Sequence, residues 1–297
     1  MIILKSDLIV HIIQTKIQNY ILITRQDKPT GWMLLFIPCL FGILSASLHK
    51  NLPIDLKIII LFLIGSILMR SAGCIFNDII DRDIDAKVER TKNRPLANKS
   101  MSLYEAIFLL LTLLIFSFLI LISMNKLTII LGFASIILVV LYPFMKRITY
   151  WPQLFLGFTF NWGAIIGWTA ISNNINFETL TIYVSSIFWT LGYDTVYGYQ
   201  DIKDDKVIGV KSTSVLFEPY SKNVIWLFYF LSFSVMSYAL FSLKVSNISV
   251  IFFIATVIFS FYLIIKLNLR DVHSCGDFFS KNKYIGFLIA ISIALSI

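Results

Sequence analysis

The sequence predicts an all-α, polytopic membrane protein, a bundle of about nine transmembrane helices with Asp-rich loops on the cytoplasmic side. Three observations carry that prediction. Only 14% of the 297 residues are charged and 58% are hydrophobic, with mean hydropathy +0.82, whereas a soluble domain carries about a quarter charged residues. Apolar runs close to the ~20 residues that cross a bilayer recur along the whole chain. Finally, Lys and Arg alternate: twenty of the 25 fall in the N-terminal segment and the even-numbered connections, four in the odd-numbered ones, and Arg70 lies inside the second helix. The positive-inside rule then places the N-terminus and the even connections in the cytoplasm.

Taken in order, MIIL is too short for the apolar core of a signal peptide. Ile9, Ile12, Ile13, Ile17, Tyr20 and Ile21 recur at helical spacing, which fits a helix within residues 1–24, over about 7–23, lying along the membrane surface, or equally a frayed tail. Spanning segments follow at 31–49, 58–76, 105–123, 127–144, 150–170, 179–198, 224–243, 248–266 and 284–297. The last has fourteen residues, short for a full crossing. The short connections leave no room for a separate soluble unit, so residues 1–297 are expected to form one integral-membrane domain. The net charge of +8 comes mostly from the cytoplasmic connections and reports topology rather than nucleic-acid binding. Cys39, Cys74 and Cys275 form no CxxC pair, and His11, His49 and His273 are scattered, so no disulfide frame or histidine metal site is expected.

The chemistry gathers after the second segment, in NDIIDRDIDAKVERTKNRPL, residues 77–96. At 100° per residue, Asn77, Asp81 and Asp85 share an arc of about 80° that includes Arg70 two turns deeper, with Asp78 at its edge and Asp83 pointing away. A second cluster, YDTVYGYQDIKDDKVIGVKSTS at 193–214, sets Asp194, Asp201 and Asp205 within about 40° on the same reckoning. Asp81-x-x-x-Asp85 and Asp201-x-x-x-Asp205 repeat one spacing, and each is trailed by cations and hydroxyls (Arg90, Thr91, Arg94; Lys211, Ser212, Thr213). Helices two and six run in the same direction, so both clusters are expected at one cytoplasmic mouth.

Crowded carboxylates repel unless a cation sits among them. A solvated acidic loop accounts for one cluster but not for two in matched phase, since charge at membrane depth is seldom idle. An EF-hand fails because Ala86 and Lys92 stand where Gly and Glu are required. A magnesium–diphosphate site fits: Mg²⁺ takes a few carboxylates with phosphate oxygens and water, and Arg and Lys take the remaining phosphate charge. In a membrane protein such a ligand is most simply a polyprenyl diphosphate. Its departing pyrophosphate needs charge neutralisation, and the allylic cation left behind suits an aromatic lining.

These residues resemble the UbiA superfamily of intramembrane prenyltransferases. Asn77, Asp78, Asp81 and Asp85 match its NDxxDxxxD motif, Asp201 and Asp205 its DxxxD motif, and Tyr142-Pro-Phe-Met-Lys146 its YxxxK motif. RQDKPTGWMLLFIPCLFGI and the two acidic stretches are similar to the 4-hydroxybenzoate polyprenyltransferase branch, over residues 25 to about 217. The resemblance implies Mg²⁺-dependent transfer of a polyprenyl group from its diphosphate to the ring carbon ortho to the hydroxyl of 4-hydroxybenzoate, in ubiquinone biosynthesis. It also implies nine helices and a lateral opening for the lipid tail. Asn77, Asp78, Asp81, Asp85, Asp201 and Asp205 would then hold Mg²⁺. Arg90, Arg94 and Lys211 would grip the diphosphate, with Lys146 and Tyr142 contacting it from helix four. Arg25, Arg70 and Arg147 are the candidates for the aromatic carboxylate, and Asp194 for orienting the phenol or receiving the ring proton, or equally for a buried partner of an arginine. Asp27 and Lys28 read equally as a loop salt bridge.

The alternatives are a sister enzyme acting on a menaquinone, haem or chlorophyll precursor and, more remotely, a cation-coupled transporter. Transporters hold their carboxylates near the midplane on broken helices; here they fall at helix ends, with Gly65, Gly192 and Gly198 the weak points of helices two and six. No Arg- and Ser-rich presequence is visible, so the expected location is a bacterial inner membrane.

Overall fold

The computed structural model describes residues 14–297. The part of the N-terminal surface helix expected before residue 14 lies outside the described residues; residues 14–23 are helical, and Ile17, Tyr20 and Ile21 are exposed along it. Its inner side is fastened by Asn19, which donates to the Ser100 carbonyl at 2.9 Å, and by Ile23, buried with Ile75, Leu96, Met101 and Ala106.

Nine long helices follow among the described residues: α1 Thr30–Lys50, α2 Leu56–Asp85, α3 Leu103–Ile122, α4 Lys126–Ile148, α5 Pro152–Ser172, α6 Phe177–Gly198, α7 Ser221–Ser242, α8 Asn247–Lys266 and α9 Val272–Ala294. Their ends are written in the sequence. Asp55, Asn125, Ser246 and Asp271 accept from backbone amides of the first turns of α2, α4, α8 and α9, and Ser102 with Glu105 forms a capping box on α3. Each satisfies an amide that has no partner within its helix. Asn51 and Asn173 end α1 and α5 in the left-handed conformation, which Asn tolerates best after Gly.

Seven of these helices are long and apolar enough to cross a membrane. The other two, α6 and α9, have spanning length but carry more polar residues. The protein is a multi-pass membrane protein with apolar side chains facing outward along α3, α4 and α8, as at Phe108, Ile115, Ile137 and Ile258. Two expectations change. The final segment is not a fourteen-residue stub from 284 but a 23-residue helix from Val272; His273, Asp277, Lys281, Asn282 and Lys283 hide its first half from an apolar count. The stripe Asp194–Asp201–Asp205 is not one helix either. Helix α6 stops at Gly198, turns intervene, and Asp201 precedes a separate short helix, Ile202–Ile208. Gly65 and Gly192, by contrast, lie within unbroken helices.

Helix α1 is the axis of the bundle, buried along most of its length. It meets α5 backbone to backbone: a Cβ on Gly42 would lie 2.1 Å from the Ala164 carbonyl oxygen, and on Gly167 2.5 Å from that of Cys39. Small residues four apart permit this approach in apolar surroundings. Hydrogen bonds join the elements at both ends. At one, Asn125 donates to the Thr169 carbonyl and the Ser246 amide to Ser296 Oγ. At the other, the residues before α1, the α2–α3, α4–α5 and α6–α7 connections and the start of α9 converge, and both acidic clusters lie there.

Candidate active site

The last turns of α2 carry the first cluster. Asp78, Asp81 and Asp85 are 1%, 0% and 6% exposed, while the Asp83 side chain is 87% exposed, as its phase predicts. Buried carboxylates need partners, and four cations from three places supply them. Arg25, just after the surface helix, donates to both oxygens of Asp78 at 2.7 and 2.6 Å; its backbone is left-handed, φ 58°. Arg94 bridges Asp78 at 3.1 Å and Asp85 at 2.7 Å. From the end of α4, Lys146 holds one oxygen of Asp81, and Arg147 holds the other at 3.2 Å.

The second cluster faces the first across the mouth. Arg90 donates from Nε to Asp201 at 2.6 Å and from Nη1 to the Tyr197 hydroxyl at 3.0 Å. The Glu89 amide donates to Asp204 at 3.2 Å. Asp205 stands beside Asp201; burial first, and then that neighbouring charge, push its carboxyl up to about 7, as crowded acids do. The Lys211 amide donates to the Lys146 carbonyl at 3.0 Å and its ammonium to that of Ile148 at 3.1 Å, tying this loop to α4.

Between the clusters a cavity of about 780 Å³ opens into the bundle. Asn77, Asp78, Asp85, Asp201 and Asp205 line its mouth, together with Arg25, Arg90, Arg94, Lys146 and Lys211. Deeper lie Arg70, Tyr142 and Asp194, walled by Phe160 and Tyr193. The Arg70 guanidinium carbon is 5.2 Å from the Phe160 ring centroid, and its Nε is buried with no hydrogen-bond partner among the described residues. A Cβ on Gly31 would lie 2.8 Å from that Nε, so only glycine lets the first turn of α1 come against the guanidinium. Asp81 and Arg147 do not line the cavity; they pair with one another behind its wall, and Arg147 also reaches the Ile80 carbonyl at 3.2 Å.

The donor set suits a hard divalent cation. Every acid at the mouth offers carboxylate oxygen, and Mg²⁺ needs only one or two of these when phosphate oxygens and water complete its coordination. Among the described residues no three acidic, His or Cys side chains converge as a ready cage.

Sequence reasoning did not find the contribution of α9: Gly276, Phe279, Ser280 and Lys283 line the cavity. Their spacing of three to four residues is one helical face, legible once the helix is started at 272. Tyr197 was missed too, although it lies midway between Asp194 and Asp201; its ring packs 4.3 Å from that of Phe279.

Fold and cavity define a multi-pass membrane protein with a charged chamber sunk into one end of its helix bundle. The UbiA prenyltransferase family matches residues 35–290. The mitochondrial 4-hydroxybenzoate polyprenyltransferase of Mus musculus is 40% identical over 285 residues, 94% of this chain and 75% of that one. The same-named protein of Schizosaccharomyces pombe is 40% identical over 287 residues, 94% and 79% of the two chains. Among solved structures, the apo UbiA homolog from Aeropyrum pernix K1 has TM-score 0.73 at 22% identity, covering 87% of this chain and 96% of that one. A UbiA homolog from Archaeoglobus fulgidus bound to GPP and Mg2+ has TM-score 0.64 at 17% identity, covering 91% and 99%. The chain belongs to the UbiA prenyltransferase family and is an enzyme that transfers prenyl groups.

Proposed function

We propose that the chain transfers a polyprenyl group from its diphosphate to the carbon ortho to the hydroxyl of 4-hydroxybenzoate, in ubiquinone biosynthesis. The observation that carries this reading is the layering of the cavity: acids and cations suited to a metal-bound diphosphate at the mouth, and an unpaired arginine beside Asp194 below them. The relatives named 4-hydroxybenzoate polyprenyltransferase support the same acceptor.

Asn77, Asp78, Asp85, Asp201 and Asp205, which line the mouth, would hold Mg²⁺; Asp81, expected among the ligands, would instead position Lys146. The chemistry Mg²⁺ supplies there is neutralisation of the leaving diphosphate. Arg90, Arg94, Lys146 and Lys211 bind the diphosphate oxygens as the C1–O bond breaks, and Tyr142 contacts them from α4. The apolar walls keep water from the allylic carbon. A C–C bond then forms between C1 and the ring carbon, and Asp194 accepts the proton that carbon loses. Of the three arginines considered for the acceptor carboxylate, Arg25 is engaged by Asp78 and Arg147 by Asp81. Arg70 is the one that faces the cavity unpaired, and we assign the carboxylate to it. The distribution of Lys and Arg supports a mouth opening to the cytoplasmic side of a bacterial inner membrane; the relatives named above are mitochondrial.

The test is a membrane-fraction assay with labelled 4-hydroxybenzoate and a long polyprenyl diphosphate, with Mg²⁺ or EDTA, on wild type, Asp81→Ala and Asp201→Ala. Lipid-soluble label is expected only with Mg²⁺ and in neither variant. Diphosphate consumed only with another acceptor moves the enzyme to a sister branch, and product unaffected by either substitution removes the paired acids from the mechanism.

A further inference from the structure

The cavity's cations divide into two kinds. Arg25, Arg90, Arg94 and Lys146 each hold a carboxylate, Lys211 donates to a carbonyl, and Lys28 stands exposed at the rim. Arg70 and Lys283 remain, and among the described residues neither meets a carboxylate. Lys283 Nζ lies 3.5 Å from Ser280 Oγ and 5.1 Å from the Tyr284 ring centroid.

Both cations flank the same turn. Gly31 rests against Arg70, and the preceding residue, Thr30, places its hydroxyl 3.3 Å from Ser280 Oγ, one helical turn from Lys283. The N-cap of this 21-residue helix is Pro29, which makes no side-chain cap, so the positive end of α1 is not offset by a side chain of its own. Two cations that make no ion pair among the described residues, with Asp194 the acid beside Arg70, stand at a helix N-terminus inside an apolar bundle, a setting that favours an anion. A diphosphate has its own cations and metal-binding acids at the mouth; what fits the deeper wall is a smaller anion on an apolar body.

We propose that Lys283 is a specificity-determining residue that, with Arg70, receives the carboxylate of the aromatic acceptor. The assignment rests on the prenyl-transfer reading and adds to it a residue from α9. It makes the acceptor pocket a joint product of α1, α2 and α9, and it selects a carboxylate over its neutral amide.

Lys283→Met and Lys283→Arg are compared with wild type in membranes. The measurements are KM for 4-hydroxybenzoate, KM for the polyprenyl diphosphate, preference for 4-hydroxybenzoate over 4-hydroxybenzamide, and binding of labelled 4-hydroxybenzoate without diphosphate. Loss of one charge-assisted contact is worth about tenfold or more. Lys283→Met is expected to raise KM for the acid by about that factor and to collapse the acid-over-amide preference. KM for the diphosphate should stay within about twofold, and Lys283→Arg should restore the acid. An unchanged KM for the acid overturns the proposal and leaves Lys283 an interfacial lysine stacked on Tyr284. A raised KM for the diphosphate also overturns it. If wild type binds the labelled acid, Lys283→Met does not, and no label is ever prenylated, the anion site stands and the prenyl-transfer reading of that acceptor falls.

Discussion

The two acid clusters share a spacing and differ in how they are mounted. Asp78, Asp81 and Asp85 end a continuous 30-residue helix and are buried against four cations, Arg25, Arg94, Lys146 and Arg147. Asp201 stands at the N-cap of a seven-residue helix, and Asp205 within it, beyond the turns that end α6, tethered chiefly by Arg90 and by the Glu89 amide on Asp204. The first is a fixed shelf and the second a short piece hung across from it. Equal Asp-x-x-x-Asp spacing therefore specifies matching chemistry, while the surrounding chain decides how much stability each carboxylate carries.

Asp81→Asn should break that equivalence most severely. It leaves Lys146 and Arg147 without their carboxylate, and removing one partner of a buried ion pair costs about 3–5 kcal/mol. Thermal melting in detergent should begin several degrees earlier, and prenyl transfer should be lost. Asp201→Asn should also lose transfer but melt close to wild type; if the two variants melt alike, the clusters are mounted alike.

The next effect depends on pH. With its carboxyl near 7 in the fold and near 3.9 in an unfolded chain, Asp205 binds more protons folded than unfolded between those values. Its contribution to stability is present at low pH and lost as the pH rises through about 7. In EDTA, wild type should lose melting temperature relative to Asp205→Asn between pH 5 and pH 8. Parallel pH curves would mean that neither burial nor the Asp201 charge raises the Asp205 carboxyl.

Gly209→Ala should do least. Gly209 closes the short helix at φ 74°, where an added Cβ meets nothing. The only penalty is left-handed backbone in a non-glycine residue, about 1–2 kcal/mol. A small fall in melting temperature with transfer retained is expected; loss of transfer would make the short helix as exacting as the end of α2.

Much of this was legible in the sequence. Helical phase put Arg70 and Asp85 on the face that lines the cavity and sent Asp83 outward, but it put Asp81 there too, whereas Asp81 turns to Lys146 and Arg147. Charge alternation brought the two clusters to one end. What was not legible has physical causes. A hydropathy count registers only runs of apolar residues, so it starts α9 at its apolar half and passes over Phe279, Ser280 and Lys283, which line the chamber. Phase reckoning assumes an unbroken helix, so it carried Asp194 to Asp205 through a turn. The choice among Arg25, Arg70 and Arg147 needed partners, and pairing is a tertiary property.

Arg25 carries a consequence for how this protein can change over generations. Its backbone sits at φ 58°, where Gly or Asn would be more comfortable, yet its guanidinium spans two partners, Nη2 donating to both oxygens of Asp78 and Nη1 to the Leu22 carbonyl, a reach that the single nitrogen of Lys would match less well. Relief of the backbone and retention of the grip cannot come from one substitution. Position 25 is thus a narrow peak in the mutational landscape: each single step away is downhill, and a different solution there requires a simultaneous change at Asp78.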